Sequence, residues 1–206
     1  FNEHFSQVVN DHLSSFQLDS ADGDGGRGEA SFVYYLPEEI HDMAIGFFLH
    51  DIGKVLIPAE ILNKKGPLTA EEFAVARRHS FDRGPAILEK CRIQNPLIEN
   101  IVRYHHAALY RSEARSYPED KLPLEVPPYV KVCKLADIYD AMTSKRCYKE
   151  ALNPIAVVTE IFRTYARKNR MLQFLLHSFV KVIGVFPPGS ILYLLNGQMA
   201  FVIDSE

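Results

Sequence analysis

Apolar positions recur at helical intervals along most of the chain, and the pattern changes only near its end. Phe5, Val8, Val9 and Leu13 mark an amphipathic helix over 1–18. The polar, glycine-rich run from Asp19 to Gly28 reads as a loop. Its Asp-x-Asp hints at a calcium loop, but the twelfth position counted from Asp22 is Val33, not the required Glu. Pro37-Glu38-Glu39 opens a helix that carries on from Ile40 to Ile52, and Pro58 bars its continuation. Thr69-Ala70-Glu71-Glu72 is a capping pattern that predicts a helix to about Ser80. Asp82 is the expected cap of the next, to about Cys91, and Asn95-Pro96 opens one that ends near His106. Residues 107–123 are polar and irregular, a loop suited to cover a site.

Pro127-Pro128 starts a helix with Val130, Leu135, Ile138 and Met142 at near-helical spacing. Two more helices are expected, near 154–167 and 171–183. The period then shifts. Residues 190–195 and 198–203 are β-rich and flank Asn196-Gly197, a strong hairpin signal. The expected fold is all-α: a helical bundle with a small C-terminal β-hairpin.

Composition narrows the function. The chain has 206 residues, 47% of them hydrophobic, enough for a real core. A net charge of −3 offers no strong basic field for a long nucleic acid, so a small substrate is favoured. Cys91, Cys133 and Cys147 are odd in number and far apart, which argues against a disulfide framework and for a cytoplasmic location. The most apolar stretch, 171–186, is interrupted by Gln173, His177 and Lys181 and is too short to span a membrane. The chain opens on Phe1 inside a helical pattern, so an upstream regulatory domain is expected to have preceded it.

The candidate chemistry is a series: His50-Asp51 with Lys54, then His79, His105-His106 and Asp137. Adjacent His and Asp can ligate one ion while the Asp reaches a second. Imidazoles and carboxylates around open positions suit a transition metal that activates water. Lys54, three residues after Asp51, would face the same way on a helix and put a point charge on a phosphate. An unpaired Asp137 in an apolar helix would be costly, which favours ligation.

The ordered series resembles the HD-GYP branch of the HD phosphohydrolases. It includes His50-Asp51-Ile52-Gly53-Lys54, Ile57-Pro58, Ile61-Leu62-Asn63-Lys64, His79, Gly84 and His105-His106. It continues through Val126-Pro127, Asp137-Ile138-Tyr139-Asp140-Ala141, Arg146-x-Tyr148, Phe186-Pro187-Pro188-Gly189-Ser190 and Asn196-Gly197, covering about residues 40–206. The resemblance implies an HD-domain helical bundle holding iron, or manganese, and acting on cyclic di-GMP. His50, Asp51 and Asp137 would hold one ion. Asp51 would bridge to a second, held also by His79, His105 and His106. His4, in a pattern like that of the family's first helix, would be the remaining ligand, with His12 the weaker candidate. Arg146 matches the family's arginine and would fork onto phosphate oxygens.

One segment departs from the pattern. The family's loop reads roughly H-H-E-x-x-D-G-x-G-Y-P, whereas here Ala107 follows His106 and only Ser116-Tyr117-Pro118 resembles the end. Two ions are expected rather than three, because the Glu that holds a third would fall before the start of the chain. The expected layout is a metal-binding core over 1–150 and C-terminal helices with the hairpin over 151–206. Protein partners would dock near the divergent loop, and exposed apolar residues of the hairpin would pair a homodimer. Two other readings stay open: a cyclic-dinucleotide receptor with little catalysis, and a hydrolase of another nucleotide.

Several residues read more simply. His41 and His177 are expected to be buried structural histidines, and His12 a surface residue. Asp140 is either a partner of a ligand or helix surface. Lys64-Lys65, Arg77-Arg78 and the basic run 167–170 are solvated faces, and Tyr139 and Phe179 are core.

Overall fold

The computed structural model describes residues 34–121, 123–145, 151–184, 186 and 188–204. His4, His12, the glycine-rich loop and Arg146 lie outside the described residues. The described chain forms two compact units, 34–134 and 135–204.

In the first unit, α1 (Pro37–Leu49) begins at a proline, and Glu39 accepts the Leu36 N–H at 2.7 Å. A 3-10 turn follows (Ile52–Leu56), then α2 (Ala59–Leu62) and α3 (Ala70–Ala76). The expected capping box opens α3: Thr69 Oγ1 accepts from Glu72 N–H and Glu72 accepts from Thr69 N–H.

The helix does not run regularly to Ser80. It ends at Ala76 and gives way to a π turn, His79–Arg83, before α4 (Gly84–Lys90). Pro85 explains the widening. It has no N–H for the Phe81 carbonyl, and its ring would crowd that carbonyl in a regular helix. Arg103 reaches the freed Phe81 oxygen at 3.5 Å instead. Asp82 does not cap α4, because its carboxylate is taken by Arg78.

α5 (Pro96–Tyr104) is capped as expected. Asn95 Oδ1 accepts from the N–H groups of Leu97 and Ile98, and its amide donates to Asp42 of α1 at 2.7 Å. α1 and α5 form the centre of this unit. They come so close at Gly46 that a Cβ there would sit 2.7 Å from Ile101 Cδ1 and 3.2 Å from Ile98 Cα. Met43, Ile101, Ala107, Val126, Tyr129, Val130 and Cys133 build one apolar cluster; Leu88, Ile98 and Val102 build another. Tyr129, Val130 and Cys133 come from α6 (Pro128–Thr143).

In the second unit, α7 (Pro154–Tyr165) and α8 (Arg170–Ile183) are capped by Asn153 and Asn169. They pack together and bury Val157, Val158 and Ile161 on one and Met171, Leu172, Leu175 and Leu176 on the other. Tyr139 and Phe179, each partly buried, meet edge to face at 5.7 Å. The hairpin pairs β1 (Ile191–Tyr193) with β2 (Met199–Phe201), Leu192 opposite Ala200. Gly197 takes a φ of +84° in the turn, which L-residues rarely adopt. Among the described residues, the architecture is helical with one antiparallel hairpin, the all-α fold expected. No helix among the described residues is long and apolar enough to cross a membrane.

Candidate metal centre

His50 ends α1 as its C-cap, and Asp51 opens the 3-10 turn. His79 opens the π turn, His105 caps the end of α5, and His106 follows it. Asp51, His79, His105 and His106 each bring a ligand atom into a group where all lie within 4.8 Å of one another. The 3-10 turn and the π turn are locked by a backbone approach. A Cβ at Gly53 would lie 1.9 Å from the His79 carbonyl oxygen and 2.7 Å from Gly84 N. Glycine at 53 thus lets Asp51 and His79 share one site.

Three imidazoles are oriented alike. Nδ1 lies 2.7 Å from Phe47 O in His50, 2.8 Å from Ala76 O in His79 and 3.0 Å from Val102 O in His105. A carbonyl oxygen only accepts, so each Nδ1 carries a proton and the neutral ring keeps its lone pair at Nε2. Those Nε2 atoms converge on one carboxylate. His79 and His105 lie 3.1 and 3.6 Å from Asp51 Oδ1, and His50 lies 3.3 Å from Oδ2. His79 Nε2 and His105 Nε2 are only 3.4 Å apart. Lone pairs aimed at a carboxylate repel unless positive charge stands between them. Imidazole nitrogen and carboxylate oxygen are donors that suit a divalent transition metal, and the backbone carbonyls behind the rings fix the tautomer such binding needs.

Electrostatics agree with that arrangement. Burial acts to raise the Asp51 pKa, but the contacts with His105, His50 and His79 and the charge of Lys54 outweigh it, and hold the carboxyl far below the usual range. Burial pushes His106 well down, helped by His105 and His79. Burial also lowers His105, against the opposing pull of Asp51.

The His105 and His106 rings are therefore neutral in the native state, while the unfolded chain protonates them near their ordinary pKa of about 6.5. The unfolded state then binds more protons, so stability falls as pH drops below that value. Each ring contributes up to about 1.4 kcal/mol per pH unit. Metal-free protein should show a lower urea midpoint at pH 5.5 than at pH 7.5; an equal or higher midpoint at pH 5.5 would contradict neutral burial.

Lys54 pairs directly with Asp51, on the face expected for it. Asp137 lies on α6 within the second unit, partly buried. Asp140 is helix surface: it is exposed and accepts from Ser144 Oγ at 3.0 Å. His41 and His177 are exposed rather than buried, and His177 Nδ1 donates to its own helix at Gln173 O. Their helices turn those positions outward, a matter of helix facing that a lone residue does not reveal.

Two features have no clear signal in the sequence pattern. Tyr117, 8% exposed, packs its ring 4.7 Å from His106, tilted 35°, and its N–H donates to the His106 carbonyl. Lys134 is buried and ion-paired to Glu113. The one hint for Lys134 is a charge among Val130, Val132, Cys133 and Leu135, where burial is expected.

The HD domain family matches this chain over residues 36–169. The chain belongs to the HD domain family. Its ordered motifs are those of the HD-GYP branch. Among curated relatives, it is 31% identical over 168 residues to a cyclic di-GMP phosphodiesterase of Pseudomonas aeruginosa, covering 81% of this chain and 39% of the relative. It is 29% identical over 134 residues to the cyclic di-GMP phosphodiesterase response regulator RpfG of Xanthomonas campestris pv. campestris, covering 65% and 34%. A 3′3′-cGAMP-specific phosphodiesterase of Vibrio cholerae is 28% identical over 140 residues, covering 66% and 26%. The chain thus spans well under half the length of these relatives. The HD domain and its His/Asp cluster suit divalent metal binding.

Proposed function

We propose that this HD-GYP member hydrolyses cyclic di-GMP to a linear dinucleotide or GMP at a centre of two metal ions, iron or alternatively manganese. The observation that carries the reading is the convergence of the His50, His79 and His105 Nε2 atoms on Asp51. Asp51 would bridge the ions, with His79, His105 and His106 on one side and His50 and Asp137 on the other. His4 would complete the set. When bound, such ions offset phosphodiester charge and lower the pKa of the attacking water. Lys54 would hold a phosphate oxygen as a point charge, and Arg146 would fork onto the same group. The functional core would be 1–150, with 151–206 as its C-terminal extension, in a cytoplasmic protein. The exposed face of Ile191, Tyr193, Met199 and Phe201 would pair two copies.

A second reading has one observation behind it. Ala107, fully buried, stands where the family's loop carries Glu, so a carboxylate is missing beside His106. A cyclic-dinucleotide receptor with little turnover would result. The relatives specific for 3′3′-cGAMP keep a different nucleotide substrate in play.

Anaerobically prepared, iron-loaded protein incubated with cyclic di-GMP should yield linear dinucleotide or GMP by chromatography. Tight binding of cyclic di-GMP without product would favour the receptor, and turnover of another nucleotide alone would reassign the substrate.

A further inference from the structure

The segment after His106 is not held by regular secondary structure. A buried ion pair ties it to α6. Lys134 Nζ lies 2.9 Å from Glu113 Oε2, with side chains 8% and 7% exposed. Nζ also donates to the Ala107 carbonyl at 2.8 Å and reaches the His106 carbonyl at 3.5 Å. Glu113 Oε2 accepts the Leu109 N–H at 2.6 Å. The same His106 carbonyl accepts the Tyr117 N–H at 3.0 Å. α6 thus reaches through one ammonium to two successive carbonyls beside a candidate ligand, and Glu113 ties the loop back to that ammonium.

Stability alone does not account for such a pair. Desolvating two charges offsets most of their attraction, and apolar residues of similar size are often as stable or more so. Apolar side chains, however, bond to neither carbonyls nor an N–H. What the pair adds is geometry at 106–109 and, through the loop, the seat of the Tyr117 ring on His106.

We propose that Lys134 and Glu113 are positioning residues for His106, and that they set the affinity of the Asp51–His79–His105–His106 cluster for a divalent ion. This rests on the metal-centre reading above. Groups that orient ligands from behind typically change metal affinity about 10- to 100-fold.

The test is Mn²⁺ binding by equilibrium dialysis, paired with urea unfolding of the metal-free protein. It compares wild type, Lys134→Met, and the double variant Lys134→Met/Glu113→Leu. Lys134→Met removes the ammonium 2.9 Å from the buried Glu113 carboxylate and should lose both stability and affinity. The double variant leaves no buried carboxylate at 113, so it should unfold at a higher midpoint than Lys134→Met yet bind Mn²⁺ about 10-fold more weakly than wild type. A folded double variant that binds within twofold of wild type overturns the proposal. So does an affinity loss that merely tracks a lower metal-free midpoint. Should the double variant not fold, Lys134→Met is read at a temperature where it is folded, and wild-type affinity there overturns it equally. Wild-type protein that takes up no Mn²⁺ or iron would overturn the metal centre itself, an outcome distinct from equal binding by all three proteins.

Discussion

Asp51→Ala should leave the protein folded but unable to hold its metals, and turnover of cyclic di-GMP should fall more than about 100-fold. The magnitude follows from a comparison: loss of a group merely behind a ligand costs about 10- to 100-fold, and Asp51 is itself the atom set on which the rings converge. Asp51→Asn should behave alike, because the amide keeps the shape but loses the charge that faces His50, His79 and His105. The side chain is 29% exposed, so neither change opens a large cavity. Metal content by mass spectrometry after reconstitution, beside product formation, checks both parts. Full occupancy with undiminished turnover would remove Asp51 from the centre.

Gly53→Ala should destabilise the first unit by about 3 kcal/mol, the upper end of overpacking costs. The added carbon would meet backbone rather than a side chain that can swing away. It would sit 1.9 Å from the His79 oxygen, 2.8 Å from the His79 carbon and 2.7 Å from Gly84 N. Relief requires the 3-10 turn to part from the π turn, and those turns carry Asp51 and His79. Metal affinity should therefore fall together with the urea midpoint. Gly66→Ala is the control: a Cβ there meets nothing within 4 Å, so its effect should stay within about 0.5 kcal/mol. Equal midpoints for the two variants would mean that the close approach does not constrain the site.

Local chemistry makes much of this molecule legible in its sequence. Pro37, Thr69 and Asn95 each start a helix by chemistry that acts over three or four residues, so those helices begin where the chain suggests. Asn196-Gly197 places the hairpin for the same reason. The order of His50-Asp51, His79 and His105-His106 points to a metal centre, because few other uses suit so many imidazoles around one carboxylate.

Long-range approach is not legible. Pro85 converts a helix into a π turn, but the consequence emerges only where Gly53 meets His79. Asp82 has the residue type of a cap, yet Arg78 claims its carboxylate. The divergent loop gives no local sign that Tyr117 lies on His106, since eleven positions separate them and no period links them. Sequence by itself determined where these helices begin, the hairpin and the candidate donor types, all set by propensity, capping and donor chemistry over a few residues. Only the tertiary structure decided which nitrogen of each ring faces Asp51, which glycine permits the approach and which buried charge holds the loop. Those depend on backbone atoms distant in sequence coming within hydrogen-bonding distance.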